Sequence, residues 1–346
     1  MKRRYAIGLL IVLMLQAGCG TSSSLVNDNS KATITGDETD LTVYLNDFDE
    51  MIGPLFEEAT GYKVNLVQGG GAEILSRIEA ERGNPHWDVV WLDMISSIHG
   101  LGMSGMLYED YTPDNASKLT DVYRSLVPEQ RWYYPTSAHA ASVIVYHNDE
   151  LSAAEAPKSW EDFSDPTFNE MIGIADPTIA APAYSFINWF FYKDGMDSGK
   201  QMISDWLNNG LSIFPKNPNV AMALLSGQIK IAALQESNAH RLIQENEKLS
   251  LVWPEEGAPA SVRVAAISKD TTKLEAAKAF VNFLLDPATQ QAIIEASDEA
   301  YHEPSVEGVT PKLDRDSGAK LLFADAMSSY KQEAEIKQWF ADYSIR

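Results

Sequence analysis

Cysteine is almost absent. Cys19 is the only one in 346 residues, so no internal disulfide can form, and its place near the start argues against a catalytic thiol. Positive charge is scarce as well: Lys and Arg number 27 against 49 Asp and Glu, and a net charge of -22 repels nucleic acid and anionic lipid. The six histidines are scattered, with no H-E-x-x-H or comparable ligand spacing. No G-x-S-x-G elbow occurs, the carboxylates are spread as on an acidic surface, nothing repeats, and no long apolar run follows the first few residues.

What is present begins with "MKRRYAIGLLIVLMLQAGC": Lys2, Arg3 and Arg4, an apolar run from Tyr5 to Leu15, then small residues before Cys19. That order reads as a secretory signal, too short to span a membrane as a mature helix. Its ending "LQAGC" resembles the lipobox of bacterial lipoproteins, in which the cysteine is lipidated and becomes the new N-terminus. The next stretch, "GTSSSLVNDNSKATITGDETD", is polar and without periodicity. The expectation is a signal peptide over 1–18, then a lipidated Cys19 and a flexible tether over 19–40.

The body from Leu41 to Arg346 is long for one core and comfortable for two. "LTVYLND" alternates as a strand does, "DEMIGPLFEEATG" reads as a helix ending near Gly61, and "YKVNLVQ" is a second strand. "AEILSRIEAERGN" follows as a helix, and "WDVVWLDM", Trp87 to Met94, as a buried parallel strand with Asp93 at its end. Later, Ala140 to Tyr146 and "IKIAAL" read as strands, and "TKLEAAKAFVNFLLDPATQQAII" as an amphipathic helix broken by proline. This alternation predicts an α/β layer on a parallel sheet. Gly69, Gly70 and Gly71, between strand and helix, read either as a tight turn or as an anion cradle using the N–H groups of Gly71, Ala72 and Glu73. They have neither the lysine of a P-loop nor the G-x-G-x-x-G spacing. Asp47 and Asp93 sit at strand ends, where a carboxylate either orients a ligand amine or hydroxyl or forms a turn or cap.

The order of these signals resembles the extracellular solute-binding proteins of ABC importers, in the two-lobed group of ferric-iron, polyamine, thiamine and phosphonate binders. The residues that carry the resemblance are "LTVY", "GGGAEILSRIEAERGNPHWDVVWLD", "SAHAASVIVYHNDEL", "IADPT", "SGQIKIAAL", and "WPEEGAP" followed by "AAKAFVNFLLDPATQQ". They run in family order from Leu41 to Gln291. The resemblance implies a two-lobed periplasmic-binding-protein fold, each lobe a central sheet flanked by helices, with two crossing segments. Lobe 1 is expected from 41–138 plus 259–346 and lobe 2 from 139–258, with crossings near Ser137 to Ser142 and Pro254 to Pro259. The C-terminal helices are expected mainly on lobe 1.

Such a fold captures a small ligand by closing on it, with donors from both walls of one cleft. On the first wall the resemblance makes Gly69, Gly70, Gly71, Ala72 and Glu73 an anion site, with Asp47, Asp93, Thr136 and Ser137 beside them. The second wall is expected from Thr178, where relatives place a ligand-binding Ser or Thr, and from a "QESNAH" loop carrying Glu236, Ser237, Asn238 and His240. Ferric-binding relatives carry a tyrosine pair in that loop, and its absence makes ferric iron the second choice; Tyr133 and Tyr134 read as aromatic packing. The expectation is a lipid-anchored, extracytoplasmic monomer at the cell surface or in the periplasm. It would deliver a phosphonate or phosphorylated solute, such as 2-aminoethylphosphonate or a sugar phosphate, to a membrane permease. No cofactor, bound metal, catalytic residue or nucleic-acid partner is expected. A secreted hydrolase whose carboxylates meet only in space is the remaining alternative.

Overall fold

The computed structural model describes residues 40–316 and 318–344. The expected signal peptide, Cys19 and the tether up to residue 39 lie outside the described residues. The first part of the chain alternates β1 (Leu41–Leu45), α1 (Asp49–Thr60), β2 (Val64–Gln68), α2 (Gly71–Ala80), β3 (Val89–Leu92) and α3 (Ile95–Met103). After α4 (Asp121–Ser125) come β4 (Tyr133–Ala140), β5 (Val143–His147), β6 (Ile172–Ala175), α5 (Ala181–Asp194), α6 (Met196–Asn208) and β7 (Ser212–Phe214). The chain continues through α7 (Asn217–Leu225), β8 (Ile231–Leu234), α8 (Glu236–Glu245), β9 (Leu249–Val252) and β10 (Ala258–Ile267). It closes with α9 (Leu274–Leu284), α10 (Pro287–Ala296), β11 (Glu303–Pro304), β12 (Leu321–Leu322) and α11 (Ala326–Ser344).

These strands form two sheets. One runs β11-β4-β10-β3-β1-β2, with β12 added beside β10; the other runs β7-β6-β8-β5-β9. β1 is parallel to β2 and β3 because a helix carries each return, whereas β10 arrives without a crossover helix and pairs antiparallel with both β3 and β4. The sheets are therefore mixed rather than parallel. The apolar run at Ala140 to Tyr146 is not one strand either: β4 ends in the first sheet at Ala140, and β5 starts in the second at Val143. The chain returns to the first sheet between β9 and β10.

The second sheet rests on an aromatic core. Trp160, Phe163, Phe186, Phe190 and Trp206 are buried, with Trp160 and Phe186 centroids 4.6 Å apart and Phe186 stacked on Trp206 at 5.8 Å. The last helix packs on α3 and also joins this core. Its Ile336 and Phe340 are buried there, and Ser329 accepts from Tyr184 Oη at 2.6 Å and from Asn188 Nδ2 at 2.7 Å. Tyr330, one residue on, lies against α3 at Gly100, where a Cβ would stand 2.3 Å from the ring. Both halves thus contribute to seating α11. Removing the ring of Phe186 leaves a void that the surrounding rings cannot fill. Phe186→Ala should therefore lower the unfolding free energy by about 3–5 kcal/mol in a denaturant titration; a near-neutral result would show that the cluster is loosely packed.

Candidate functional site

The ends of β1 and β3 bring Asn46, Asp47 and Asp93 together, and Asn46 Nδ2 donates to Asp93 Oδ1 at 2.7 Å. Arg263 reaches the same corner from β10, where a register shift between Arg263 and Val264 re-aims the strand. Its Nη1 donates to Asn46 Oδ1 at 2.7 Å and its Nη2 to Asp47 Oδ2. The side chain is 3% exposed, and its guanidinium lies 5.1 Å from the ring centroids of both Phe48 and Trp91. A charge so deeply desolvated requires an opposite partner and polarisable neighbours, and it has both. Phe48 itself holds a left-handed φ of 64°, rare for a bulky side chain.

Across from this corner, β8 feeds α8 through Gln235. Its Nε2 lies 3.0 Å from His139 Nε2, and its Oε1 accepts from Asn238 Nδ2 at 3.1 Å. His139 Nε2 is also 3.7 Å from Asp93 Oδ2, so a polar chain crosses from the first sheet to the second. Burial lowers His139 to about 4 and His302 to about 3, with the Arg263 and Arg315 charges acting in the same direction. Both imidazoles are neutral at pH 7, so His139 accepts from the Gln235 amide. Burial raises Asp47 to about 6, against the pull of Arg263 and with added repulsion from Asp93.

Two connected hollows occupy the cleft. The inner chamber, about 160 Å³, is walled by Asp47, Phe48, Ser137, His139, Gln235, Ser237, Arg263 and His302, among others. The outer cavity, about 500 Å³, shares Asp47, Gln235 and Asn238 with it. The starts of four helices border the outer cavity: Gly70 and Gly71 of α2, Ala180 and Ala181 of α5, Lys216 and Asn217 of α7, and Gln235 of α8. None of these helices has a side-chain hydrogen bond at its N-cap residue. Backbone donors at helix starts need an acceptor, and an anion in the cavity would supply one.

Of the residues singled out in the sequence, Asp47, Gly70, Gly71, Ala72, Glu73, Asp93 and Asn238 line the outer cavity, and Ser137 and Ser237 the inner chamber. Five others are placed elsewhere. Gly69 lines neither hollow, and its N–H donates to Leu45 O at 3.1 Å. Thr136 Oγ1 accepts from Trp91 Nε1 at 2.9 Å inside the first sheet. Thr178 donates to Asp176 Oδ1 at 2.6 Å, closing a local turn. Glu236 is fully buried, bonded to Arg315 Nε at 2.6 Å and to the Ala140 N–H at 2.8 Å. His240 stacks on Tyr301 with centroids 3.9 Å apart. "QESNAH" is not a loop, because α8 begins at Glu236, which turns Glu236 and His240 away from the cleft.

The glycine run also differs from expectation. Gly69, Gly70 and Gly71 all have negative φ, so no left-handed turn requires them. Gly71 is needed for space, since a Cβ there would stand 2.5 Å from Met94 Sδ, while a Cβ on Gly70 would meet nothing within 4 Å. Arg263, His139, Gln235, Lys216 and His302 were not among the sequence candidates. A lone arginine in the apolar run "APASVRVAAI" and a lone histidine in "SAHAAS" were the signals available for two of them. Among the described residues, no three His, Cys, Asp or Glu side chains gather as a metal site.

Residues 99–328 match the family described as bacterial extracellular solute-binding protein. The chain belongs to this family. A periplasmic protein of Salmonella typhimurium assigned to 2-aminoethylphosphonate binding is 25% identical over 300 residues, covering 82% of this chain and 84% of its own. The major ferric iron-binding protein of Neisseria meningitidis is 25% identical over 284 residues, covering 77% of this chain and 82% of its own. The structure of AfuA from Actinobacillus pleuropneumoniae, with fructose-6-phosphate bound, superposes with a TM-score of 0.75 at 20% identity, covering 89% of this chain and 98% of AfuA. The fold is the two-lobed α/β periplasmic-binding-protein fold. This solute-binding protein is a receptor rather than an enzyme.

Its buried histidines set a pH limit. His139 and His240 are lowered to about 4 and His302 to about 3, against an ordinary value of 6.5, so the unfolded chain takes up protons first as the pH falls. Stability present above pH 6.5 is then lost toward pH 4. Asp47, raised from 3.8 to about 6, and the buried Glu236 and Glu303, also raised by desolvation, work in the opposite sense, while His99, lowered by burial, adds to the other three histidines. The thermal midpoint should fall between pH 6.5 and 4, and His302→Gln should make the fall shallower; an unchanged slope in that variant would show that His302 protonates freely in the folded state.

Proposed function

We propose that this protein is the lipid-anchored receptor of an ABC importer and that its solute carries a phosphonate or phosphate group. The observation that carries the anion is the meeting of the α2, α5, α7 and α8 starts at one cavity without side-chain caps. Each helix start offers N–H donors and a partial positive charge where an oxyanion would sit. Lys216 on the outer wall and Arg241 on the inner wall add cationic side chains. Asp47, Glu73 and Glu299 supply acceptors for an amine or hydroxyl on the same solute. Organophosphorus binding is also the assignment of the Salmonella relative, and AfuA holds a phosphorylated sugar.

A ferric ion is less well served. The acidic corner at Asp47 and Asp93 already contains the buried Arg263, whose charge opposes a hard trication among those oxygens. Closure over a solute is favoured only by the solute's better fit to the closed form, and a ligand spanning both walls provides that difference. The anchor reading rests on "LQAGC" ending at Cys19 after an apolar segment.

Thermal unfolding of the purified protein against phosphonates, sugar phosphates, ferric citrate, polyamines and thiamine tests the ligand class. A true ligand at ~100 times its dissociation constant adds about 2.7 kcal/mol to the folded state, which raises the midpoint visibly. A shift with ferric citrate alone would overturn the anion assignment. Because a Cβ on Gly70 points into open space, Gly70→Val should weaken binding of the responding phosphorus compound by ~10-fold or more while leaving the unliganded midpoint nearly unchanged. Equal loss of stability and binding would reduce the glycine run to a turn. Cys19→Ala should release the protein from membranes with its affinity intact, and persistent attachment would remove the lipid anchor.

A further inference from the structure

The outer cavity accounts for an anion, but the inner chamber has a different chemistry. Resting on the anion reading above, we infer that the chamber reads hydroxyl groups of a phosphorylated sugar or polyol, with Ser137 and His302 as its specificity-determining side chains.

Ser137 is 5% exposed and His302 6%; both line the chamber, and neither side chain makes a hydrogen bond to any described residue. Their polar atoms are not sealed in the protein but open onto the chamber, so a molecule held there can pair with both. Both are rigidly placed. Ser137 sits in β4, paired to Arg263 of β10 on one side and Pro304 of β11 on the other, and His302 directly precedes β11 with its ring edge-on to Phe48 at 6.0 Å.

The partner's chemistry follows from what these groups offer. A neutral imidazole has one donor and one acceptor, a serine hydroxyl is both, and so is the Gln235 amide beside them. A sugar hydroxyl, which also gives one hydrogen bond and takes others, matches that set. An ammonium group only donates: it could use the carboxylates of Glu299 and the Arg263-bound Asp47 but would leave the donors of Ser137, His302 and Gln235 without an acceptor. Asp47, Gln235 and Asn238 belong to both hollows, so one molecule can keep its phosphate at the helix starts and its hydroxylated end in the chamber.

Calorimetric titration of the purified protein with methylphosphonate, 2-aminoethylphosphonate, glycerol 3-phosphate and a hexose 6-phosphate tests the assignment. The hexose phosphate should bind at least ~10-fold tighter than methylphosphonate, and Ser137→Ala and His302→Ala should each reduce that preference by ~10-fold. His302→Gln, which keeps a donor and an acceptor, should restore part of it, and thermal midpoints of the unliganded variants identify any that misfold. Parallel loss of both ligands, equal wild-type affinities, or a preference for 2-aminoethylphosphonate would each overturn the chamber assignment while leaving the anion site standing. If no phosphorus compound binds, the anion reading falls and the chamber assignment with it.

Discussion

Backbone N–H groups at a helix start have no partner inside the helix, and much of this molecule is arranged around that fact. In a sheet fed by helix returns, each strand ends at one edge and the next helix begins there. Here β2 leads to α2, β6 to α5, β7 to α7 and β8 to α8, and all four starts border one cavity. Of these strands β2 lies in the first sheet and β6, β7 and β8 in the second, so the cavity exists only where the two halves face each other. Local donors, rather than overall charge, then decide what enters: a chain of net charge -22 repels anions at a distance, but salt screens that field beyond ~8–10 Å.

Arg263 shows how a buried charge is accommodated in such a setting. Its partners come from the end of β1, and its ring neighbours from β3 and from the strained Phe48. Taking the arginine away would leave Asp47 beside Asp93 without its cationic partner and raise the Asp47 carboxyl further. The same corner sends the His139–Gln235 contact to the opposite wall, so cleft electrostatics and the relation between the walls are linked.

Several side chains near the cleft serve its shape instead of its contents. Glu236 and Arg315 form a buried, mutually compensating pair that ties α8 to the segment after β11 and to the Ala140 N–H. His240 on Tyr301 does similar work by stacking. These contacts fix the start of α8, and with it the positions of Gln235, Ser237 and Asn238 on the cavity wall. Helix α11 adds a brace across α3 and the aromatic core, though its sequence gives no sign of which face meets which half.

Local pattern alone determined the strand and helix alternation through Leu92, the strand ends at Asp47 and Asp93, and a glycine-led start to α2, because burial period and turn chemistry act over a few residues. It also contained the family order of motifs. It did not show that Ala140 to Tyr146 divides between two sheets, since periodicity is the same whichever sheet a strand joins. Thr178, Glu236 and His240 looked like cleft residues for the same reason: polarity can be read from the sequence, but direction cannot, and a helix starting one residue earlier or later turns a side chain from cavity to core. Arg263, His139 and His302 come from three distant strands or strand edges and meet only when β10, β4 and β11 pair. The tertiary structure decided the site because its groups are joined by sheet register, a long-range pairing that no short window of sequence encodes.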